Sequence, residues 1–88
     1  MPYVVYILYS EKDKKLYVGC TSDFKKRLAK HQHGEIPATK HRLPLLPIHQ
    51  EVFASKADAF NRERFLKSLW GAREKQRIKD DFLKQHKA

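Results

Sequence analysis

The sequence lacks the features that define several classes of protein. Its single cysteine, Cys20, excludes an internal disulfide and fits a reducing compartment. No apolar run approaches the roughly 18 residues that a membrane-spanning helix needs. The first residues lead directly into a strand pattern, without a basic and then apolar signal region. We therefore expect a cytoplasmic protein with no membrane role.

Glycine is also scarce, and repeats are absent. None of the three glycines belongs to a Walker-type phosphate loop, and no tract is of low complexity. A chain of 88 residues has room for one small core. We expect a single domain over residues 1–88.

Acidic residues are few relative to basic ones. Nineteen lysines and arginines against ten aspartates and glutamates give a net charge of +9. A small surface with this charge attracts phosphate polyanions, which favours a nucleic-acid partner. A basic protein without a nucleic-acid role remains an alternative. An anionic membrane surface fits less well, because no helix pairs a broad apolar face with an all-basic one.

Two short runs rich in β-branched and aromatic residues predict an antiparallel hairpin. They are Tyr3 to Tyr9 and Leu16 to Thr21, and the segment between them is polar and charged. Side-chain alternation places Tyr6 and Tyr17 close together, while Gly19 leaves room for another group to approach the backbone. The alternative is a core hairpin whose tyrosines merely suit strands.

The rest of the chain predicts three helices and a third strand. Ser22 or Asp23 would cap the first helix, Gly34 would end it, and Pro47 places the third strand at an edge. The expected elements are a helix at Phe24–Gln32, a loop from Gly34 to Pro47, a strand at Leu45–Phe53, and helices at Lys56–Trp70 and Ala72–Lys84. The buried sides of the last two helices are expected to hold Ala59, Phe60, Leu66, Leu69, Trp70, Ile78, Phe82 and Leu83.

Three polar side chains lie at or beside predicted apolar stripes. Arg27 and His31 are one turn apart on the first helix, and Glu63 lies on or beside the apolar face of the second. Each has an ordinary alternative: a solvated arginine, a histidine at the edge of the core, and a glutamate in a salt bridge on the helix surface. The candidate partners for that salt bridge are Arg62, Arg64 and Lys67.

These residues, taken in order, resemble the GIY-YIG nuclease family, and most closely its small stand-alone members. Val4-Val5-Tyr6 stands where the first motif has Gly-Ile-Tyr, and Tyr17-Val18-Gly19 matches the second motif. Arg27 and His31 follow at fitting spacings, and Asn61 to Lys67 resembles the segment with the family's metal-binding glutamate. The resemblance covers about residues 3–75. Two departures are Cys20, where several members have lysine, and the absence of any asparagine after Glu63.

The resemblance implies an α/β (α+β) fold, with a small three-stranded antiparallel sheet flanked by helices. It also implies phosphodiester hydrolysis with one Mg²⁺ (or Mn²⁺). In the implied site Tyr17 is the general base or orients the water, and His31 or Tyr6 hydrogen-bonds to it. Arg27 neutralises charge on the phosphate, and Glu63 holds the metal.

The expected function is therefore a metal-dependent endonuclease acting on DNA. Branched or flapped substrates and a role in repair or recombination are candidates, and a protein partner is a candidate source of specificity. The phosphate contacts are expected from Lys25, Lys26, Lys40, Arg42 and the last two helices. One alternative is a nucleic-acid-binding module of the same fold with little or no turnover. Another is a basic protein-interaction domain.

Overall fold

A computed structural model describes residues 2–85, so Met1 and residues 86–88 of the expected domain lie outside the described residues. The elements are β1 (Tyr3–Ser10), β2 (Leu16–Thr21), α1 (Phe24–Gln32), β3 (Leu45–Phe53), α2 (Lys56–Lys67) and α3 (Ala72–Gln85), with a short 3-10 turn at Leu69–Gly71. The fold is α+β, with a three-stranded antiparallel sheet and three helices. This confirms the fold class that the sequence predicts.

The central strand β1 lies between β2 and β3 and pairs antiparallel with both. Because helices cover both faces of the sheet, every residue in Val5–Ser10 is buried. Val5 and Ile7 pack with α2 on one face. Tyr6 and Leu8 pack toward α1 on the other. The alternation expected from the sequence is confirmed, and it directs Tyr6 toward α1.

The ends of α1 and the position of β3 follow the sequence signals. The Asp23 carboxylate caps α1 by accepting a hydrogen bond from the Lys26 amide at 3.1 Å. Gly34 follows the helix with a φ of 74°, which glycine adopts without strain. β3 is an edge strand, and its pairing with β1 is irregular where Pro47 lies opposite Leu8.

Helix α2 ends earlier than the sequence predicts, and the expected burial of its last residues is wrong. The helix stops at Lys67. Leu69 and Trp70 are then 92% and 84% exposed, and Phe60 is 41% exposed. The cause is Gly71, which is buried so close to the end of α2 that a Cβ would lie 2.3 Å from the Phe65 carbonyl oxygen. The chain must turn to bring Gly71 there, and this turn directs Leu69 and Trp70 outward.

Helix α3 packs through partly buried Ile78 and Phe82, whereas Leu83 is 38% exposed, so its expected burial is wrong. Within residues 2–85, no helix has the length and apolar character needed to cross a membrane.

An ion-pair network joins β3, α2 and α3. The Arg62 guanidinium donates to both carboxylate oxygens of Glu51 on β3, at 2.7 and 2.9 Å, and also contacts Glu74 on α3. The hydrogen bond from Arg62 is the main reason that the pKa of Glu51 is below its usual value. This Arg62 network (Glu51, Arg62 and Glu74) anchors α2 to the edge of the sheet.

Candidate active site

A chain of three buried polar side chains lies between the sheet and α1. The Tyr6 hydroxyl is 2.9 Å from Nε2 of His31, and Nδ1 of the same ring is 2.8 Å from the Thr39 hydroxyl. Tyr6 is 1% exposed, and His31 and Thr39 are fully buried. The chain links β1 to α1 and to the loop after α1, and it fixes the Tyr6 ring.

His31 is neutral at physiological pH. Burial lowers its pKa below the usual value, and the nearby positive charge of Arg27 lowers the pKa further. A neutral imidazole has one N–H donor and one acceptor nitrogen. Both of its partners are hydroxyls, which donate or accept, so both ring nitrogens are satisfied in either tautomer.

Tyr17 is the more accessible tyrosine of the predicted pair. It is only partly buried, and its ring centroid lies 6.5 Å from that of Tyr6 and 5.2 Å from that of His31. The two ring nitrogens of His31 are used by Tyr6 and Thr39, so the imidazole supports the Tyr17 ring by an edge contact. Tyr17 thus lies where the buried chain meets the surface.

Arg27 extends from α1 toward the two tyrosines. Its interaction with the Tyr6 hydroxyl is the main reason that the pKa of Arg27 is raised, and Tyr17 contributes in the same direction. The pKa of Tyr6 is raised by burial, and the approach of Arg27 acts against this. Within the part of the chain that the structure describes, the buried Nε of Arg27 has no hydrogen-bond partner. This arginine therefore retains an unused donor beside the tyrosines.

Glu63 approaches the same region from α2. Its carboxylate is 22% exposed and forms an ion pair with Lys67 at 2.9 Å, which is the helix-surface salt bridge considered from the sequence. After burial, the negative charge of Glu63 is the next cause of the raised pKa of Cys20, and it is a lesser cause of the raised pKa of Tyr6. Glu63 is therefore close enough to β1 and β2 to act on groups there.

The donor set around Glu63 decides which metal ion it suits. No cluster of three or more His, Cys, Asp or Glu side chains within residues 2–85 forms a closed metal site. Mg²⁺ keeps several waters and is usually held by one or two carboxylates together with substrate phosphates. A single partly exposed carboxylate fits an ion of that kind. A cleft of about 260 Å³ beside Glu63 leaves space for such partners; Phe60, Glu63, Arg64 and Lys67 line it.

A second, more basic cleft runs along the start of α1. Its volume is about 390 Å³, and Thr21, Ser22, Asp23, Lys26, Arg27 and Lys30 line it. Lys26 was expected from the sequence to contact phosphates, whereas Lys30 was not. The signal was available, because residues four apart on a helix lie on the same side.

The remaining predicted phosphate contacts lie apart from this cleft. Lys25 and Lys40 are exposed on α1 and on the loop after it. Arg42 is bound to the β1–β2 turn, where its Nε donates to the Asp13 carboxylate at 2.7 Å. That hydrogen bond lowers the pKa of Asp13 to about 2, so the charge of Arg42 is already engaged within the fold.

Two tyrosines and Arg27 thus lie together beside the sheet, and Glu63 lies on α2. A family profile for the GIY-YIG catalytic domain matches residues 2–79. The chain belongs to the GIY-YIG family of nuclease domains.

Proteins similar to this chain are small. A UPF0213 protein of Natronomonas pharaonis is 38% identical over 78 residues, which cover 88% of this chain and 91% of that protein. A UPF0213 protein of Streptococcus pyogenes serotype M5 is 46% identical over 56 residues, covering 62% of this chain and 61% of that protein. The solution NMR structure of a UPF0213 protein from Bacillus halodurans matches with 32% identity and a TM-score of 0.57, covering 89% of this chain and 83% of that one.

Proposed function

We propose that the protein is a divalent-metal-dependent endonuclease that hydrolyses phosphodiester bonds in DNA, with branched or flapped molecules arising in repair or recombination as candidate substrates. The observation that carries this proposal is the convergence of Arg27 and Tyr17 on the buried Tyr6, together with the carboxylate of Glu63 in a cleft beside α2. A module that only binds phosphates does not need a carboxylate in such a position.

Tyr17 is the group assigned to the attacking water. A free phenol has a pKa near 10 and is almost fully protonated at neutral pH, so it needs help to accept a proton. Arg27 lies beside Tyr17 and also lines the basic cleft, so the tyrosine and the arginine meet at the reacting phosphate. Tyr17 orients the water and takes its proton as the phosphorus is attacked.

Tyr6 and His31 act as positioning residues in this proposal. Both are buried, so neither contacts a substrate. The hydrogen bond between them fixes the Tyr6 ring, which in turn holds the Arg27 guanidinium in place next to Tyr17. Preorganising charged groups in this way lowers the cost of ordering them during reaction.

Arg27, Lys26 and Lys30 supply the positive charges for the substrate. The basic cleft at the start of α1 accommodates a phosphate backbone, and the guanidinium of Arg27, which lines this cleft, donates to a phosphate oxygen. Lys26 and Lys30 flank that position and hold the neighbouring phosphates.

Glu63 is the residue that would hold Mg²⁺ or Mn²⁺. When bound, the ion would polarise the phosphate and stabilise the leaving oxygen. Lys67 neutralises the Glu63 carboxylate in the absence of the ion and remains near enough to contact a phosphate afterwards.

The test is cleavage of end-labelled single-stranded, duplex, flapped and four-way branched DNA, and of RNA of matched sequence. Reactions contain Mg²⁺, Mn²⁺ or EDTA, and Tyr17→Phe protein purified in parallel controls for contaminating nucleases. We expect DNA cleavage that EDTA and the substitution both abolish. Salt-sensitive binding without cleavage of any substrate would instead favour the binding module. If there is no binding even at low salt, a protein-interaction domain is favoured.

A further inference from the structure

Trp70 is exposed to an unusual degree for a large aromatic side chain. It is 84% exposed, beside Leu69 at 92%, in the short turn between α2 and α3. Large aromatic side chains normally bury most of their surface, and clustered exposed ones mark contact sites. Trp70 is also the sole tryptophan in the sequence.

The turn that presents Trp70 is fixed from both sides. The Ser68 hydroxyl donates to the Phe65 carbonyl at 2.5 Å, closing the end of α2. On the other side, Gly71 packs directly on the helix end, where a Cβ would lie 2.7 Å from Cα of Leu66. The outward direction of Trp70 is therefore set by the backbone of the turn.

The surface around this turn is positive. Residues 60–75 contain five lysines and arginines against two glutamates. Both glutamates are ion-paired, Glu63 with Lys67 and Glu74 with Arg62. Across residues 2–85, no ion pair engages the other three cations of this segment, which are Arg64, Arg73 and Lys75. An exposed indole among unpaired cations is complementary to an aromatic polyanion, which describes a nucleic acid.

Trp70 also has a defined position relative to the candidate metal ligand. It follows Glu63 by seven residues: α2 continues to Lys67, about 6 Å further along the helix axis at a rise of roughly 1.5 Å per residue, and the chain then turns. Successive phosphates of a stacked strand are about 3.4 Å apart along the axis. A strand whose phosphate lies at Glu63 is therefore within a few nucleotides of the turn that carries Trp70.

We infer that Trp70 stacks on an unpaired nucleobase, so that the substrate class is a nucleic acid with a single-stranded segment next to the cleaved phosphate. In a continuous duplex both faces of each base are covered by neighbouring bases, so no face is open to the indole. Arg64 and Arg73 contact the phosphates on either side of the stacked base. The stacking itself does not depend on the proposed function. Only the position of the cleaved bond relative to Trp70 rests on it, because that position assumes that the phosphate lies at Glu63.

The fluorescence of the single tryptophan tests this inference directly. In EDTA, so that cleavage does not intervene, the protein is titrated with a single-stranded oligodeoxythymidylate, with a duplex, and with an abasic strand of equal length. We expect the single strand to quench the tryptophan fluorescence in a saturable way. The abasic strand should also bind, as measured by anisotropy, but it should not quench the fluorescence comparably. Equal quenching by the abasic strand would overturn the inference, because that strand has the same charge and no bases.

Three variants separate stacking from simple apolar contact. Trp70→Ala should weaken single-strand binding by about 5- to 150-fold, the range for loss of one stacked base, and change duplex binding little. Leu69→Ala is the matched control, because it removes an even more exposed apolar side chain that has no aromatic face. Trp70→Phe should restore part of the affinity. If Trp70→Ala and Leu69→Ala bind single strands like the parent, the inference is wrong.

The outcomes also distinguish this inference from the proposed function. Quenching and the Trp70→Ala loss without cleavage of any substrate would support stacking while removing the nuclease proposal. If the parent protein cleaves DNA and Trp70→Ala keeps the same preference for single strands, the nuclease proposal would be supported and the stacking inference removed. Sedimentation of the parent is compared with that of Trp70→Ala. A dimer that the substitution dissociates would assign this surface to a second copy of the chain and overturn the inference.

Discussion

The Tyr6 ring lies directly over Gly19, its partner across the β1–β2 pairing. A Cβ on residue 19 would lie 2.4 Å from both Cζ and the hydroxyl oxygen of Tyr6. The space expected beside Gly19 is thus filled by a side chain of the protein. Glycine is needed here because the tyrosine hydroxyl must pass this point to reach His31.

Gly19→Ala should destabilise the fold by steric overlap with Tyr6. Overpacking of this kind costs about 1–3 kcal/mol, and in a domain of this size each kcal/mol lowers the melting temperature by roughly 4–8 °C. Thermal melting measures the loss. In Tyr6→Phe the hydrogen bond to His31 is absent and the ring is freer to move. The double variant should therefore lose less stability than the sum of the losses in the two single variants. A fully additive result would contradict the proposed overlap.

Glu63→Gln should leave folding almost unchanged but abolish metal-dependent cleavage. The substitution removes a surface ion pair worth about 0.5 kcal/mol, so the melting temperature should change by only a few degrees. Lys67→Gln breaks the same ion pair, keeps the carboxylate, and should retain metal dependence. Equal nuclease activity in Glu63→Gln and the parent protein would exclude Glu63 as the metal ligand.

DNA binding should weaken steeply as salt is added. Each phosphate contact contributes about −0.9 to the slope of log affinity against log salt concentration. Lys26→Gln and Lys30→Gln should each reduce the slope by about one contact, because both residues line the basic cleft. Lys12→Gln, on the exposed β1–β2 turn, removes the same charge elsewhere and should change the slope less. A flat salt response of the parent would remove nucleic acid as a partner.

Tyr17→Phe separates a catalytic hydroxyl from a structural one. If the hydroxyl acts on the attacking water, cleavage should fall by at least about 10²-fold while DNA binding stays within a few-fold. A buried structural hydrogen bond would instead cost roughly 0.5–1.5 kcal/mol of stability, with activity lost only in proportion. A hydroxyl in solvent would make the change silent. Steady-state cleavage and melting of this one variant distinguish the three cases, and an active, stable protein would end the proposed mechanism.

Stability should fall as the pH drops below about 6.5, the usual pKa of histidine in the unfolded chain. The buried His31 has a lowered pKa in the folded state, so the unfolded state takes up a proton that the folded state does not. The resulting loss of folding stability is absent above that pH and grows as the pH falls below it. Urea unfolding at pH 7.5 and 5.5 measures the change. His31→Asn should reduce the pH dependence, and His41→Asn, at an exposed position, controls for loss of a histidine.

The strands and the first helix could be predicted because local signals determine them. Alternation assigned Val5 and Ile7 to one face of the sheet and Tyr6 to the other, since strand side chains alternate regardless of context. The Asp23 cap likewise fixed the start of α1. The same regularities predict that Tyr6 and Tyr17 lie close together, and their rings are neighbours in the structure.

Features that depend on three-dimensional packing could not be predicted in this way. The helical spacing of Leu66, Leu69 and Trp70 indicates a longer buried face, and only the close packing of Gly71 against α2 explains why it ends. The complete burial of His31 depends on Thr39, which belongs to a loop without periodic sequence. The engagement of Arg42 depends on a turn that is distant in the sequence.

Arg62 and Glu63 are adjacent in the sequence but serve different sides of α2. Arg62 joins the helix to Glu51 and Glu74, while Glu63 faces β2 and its own cleft. Successive residues of a helix are rotated by about 100° around its axis. A one-residue insertion or deletion between the Ser55 cap and Arg62 would thus turn the arginine away from its anchor and the glutamate away from the site. The spacing from Ser55 to Glu63 is thereby fixed, whatever substitutions the individual positions accept.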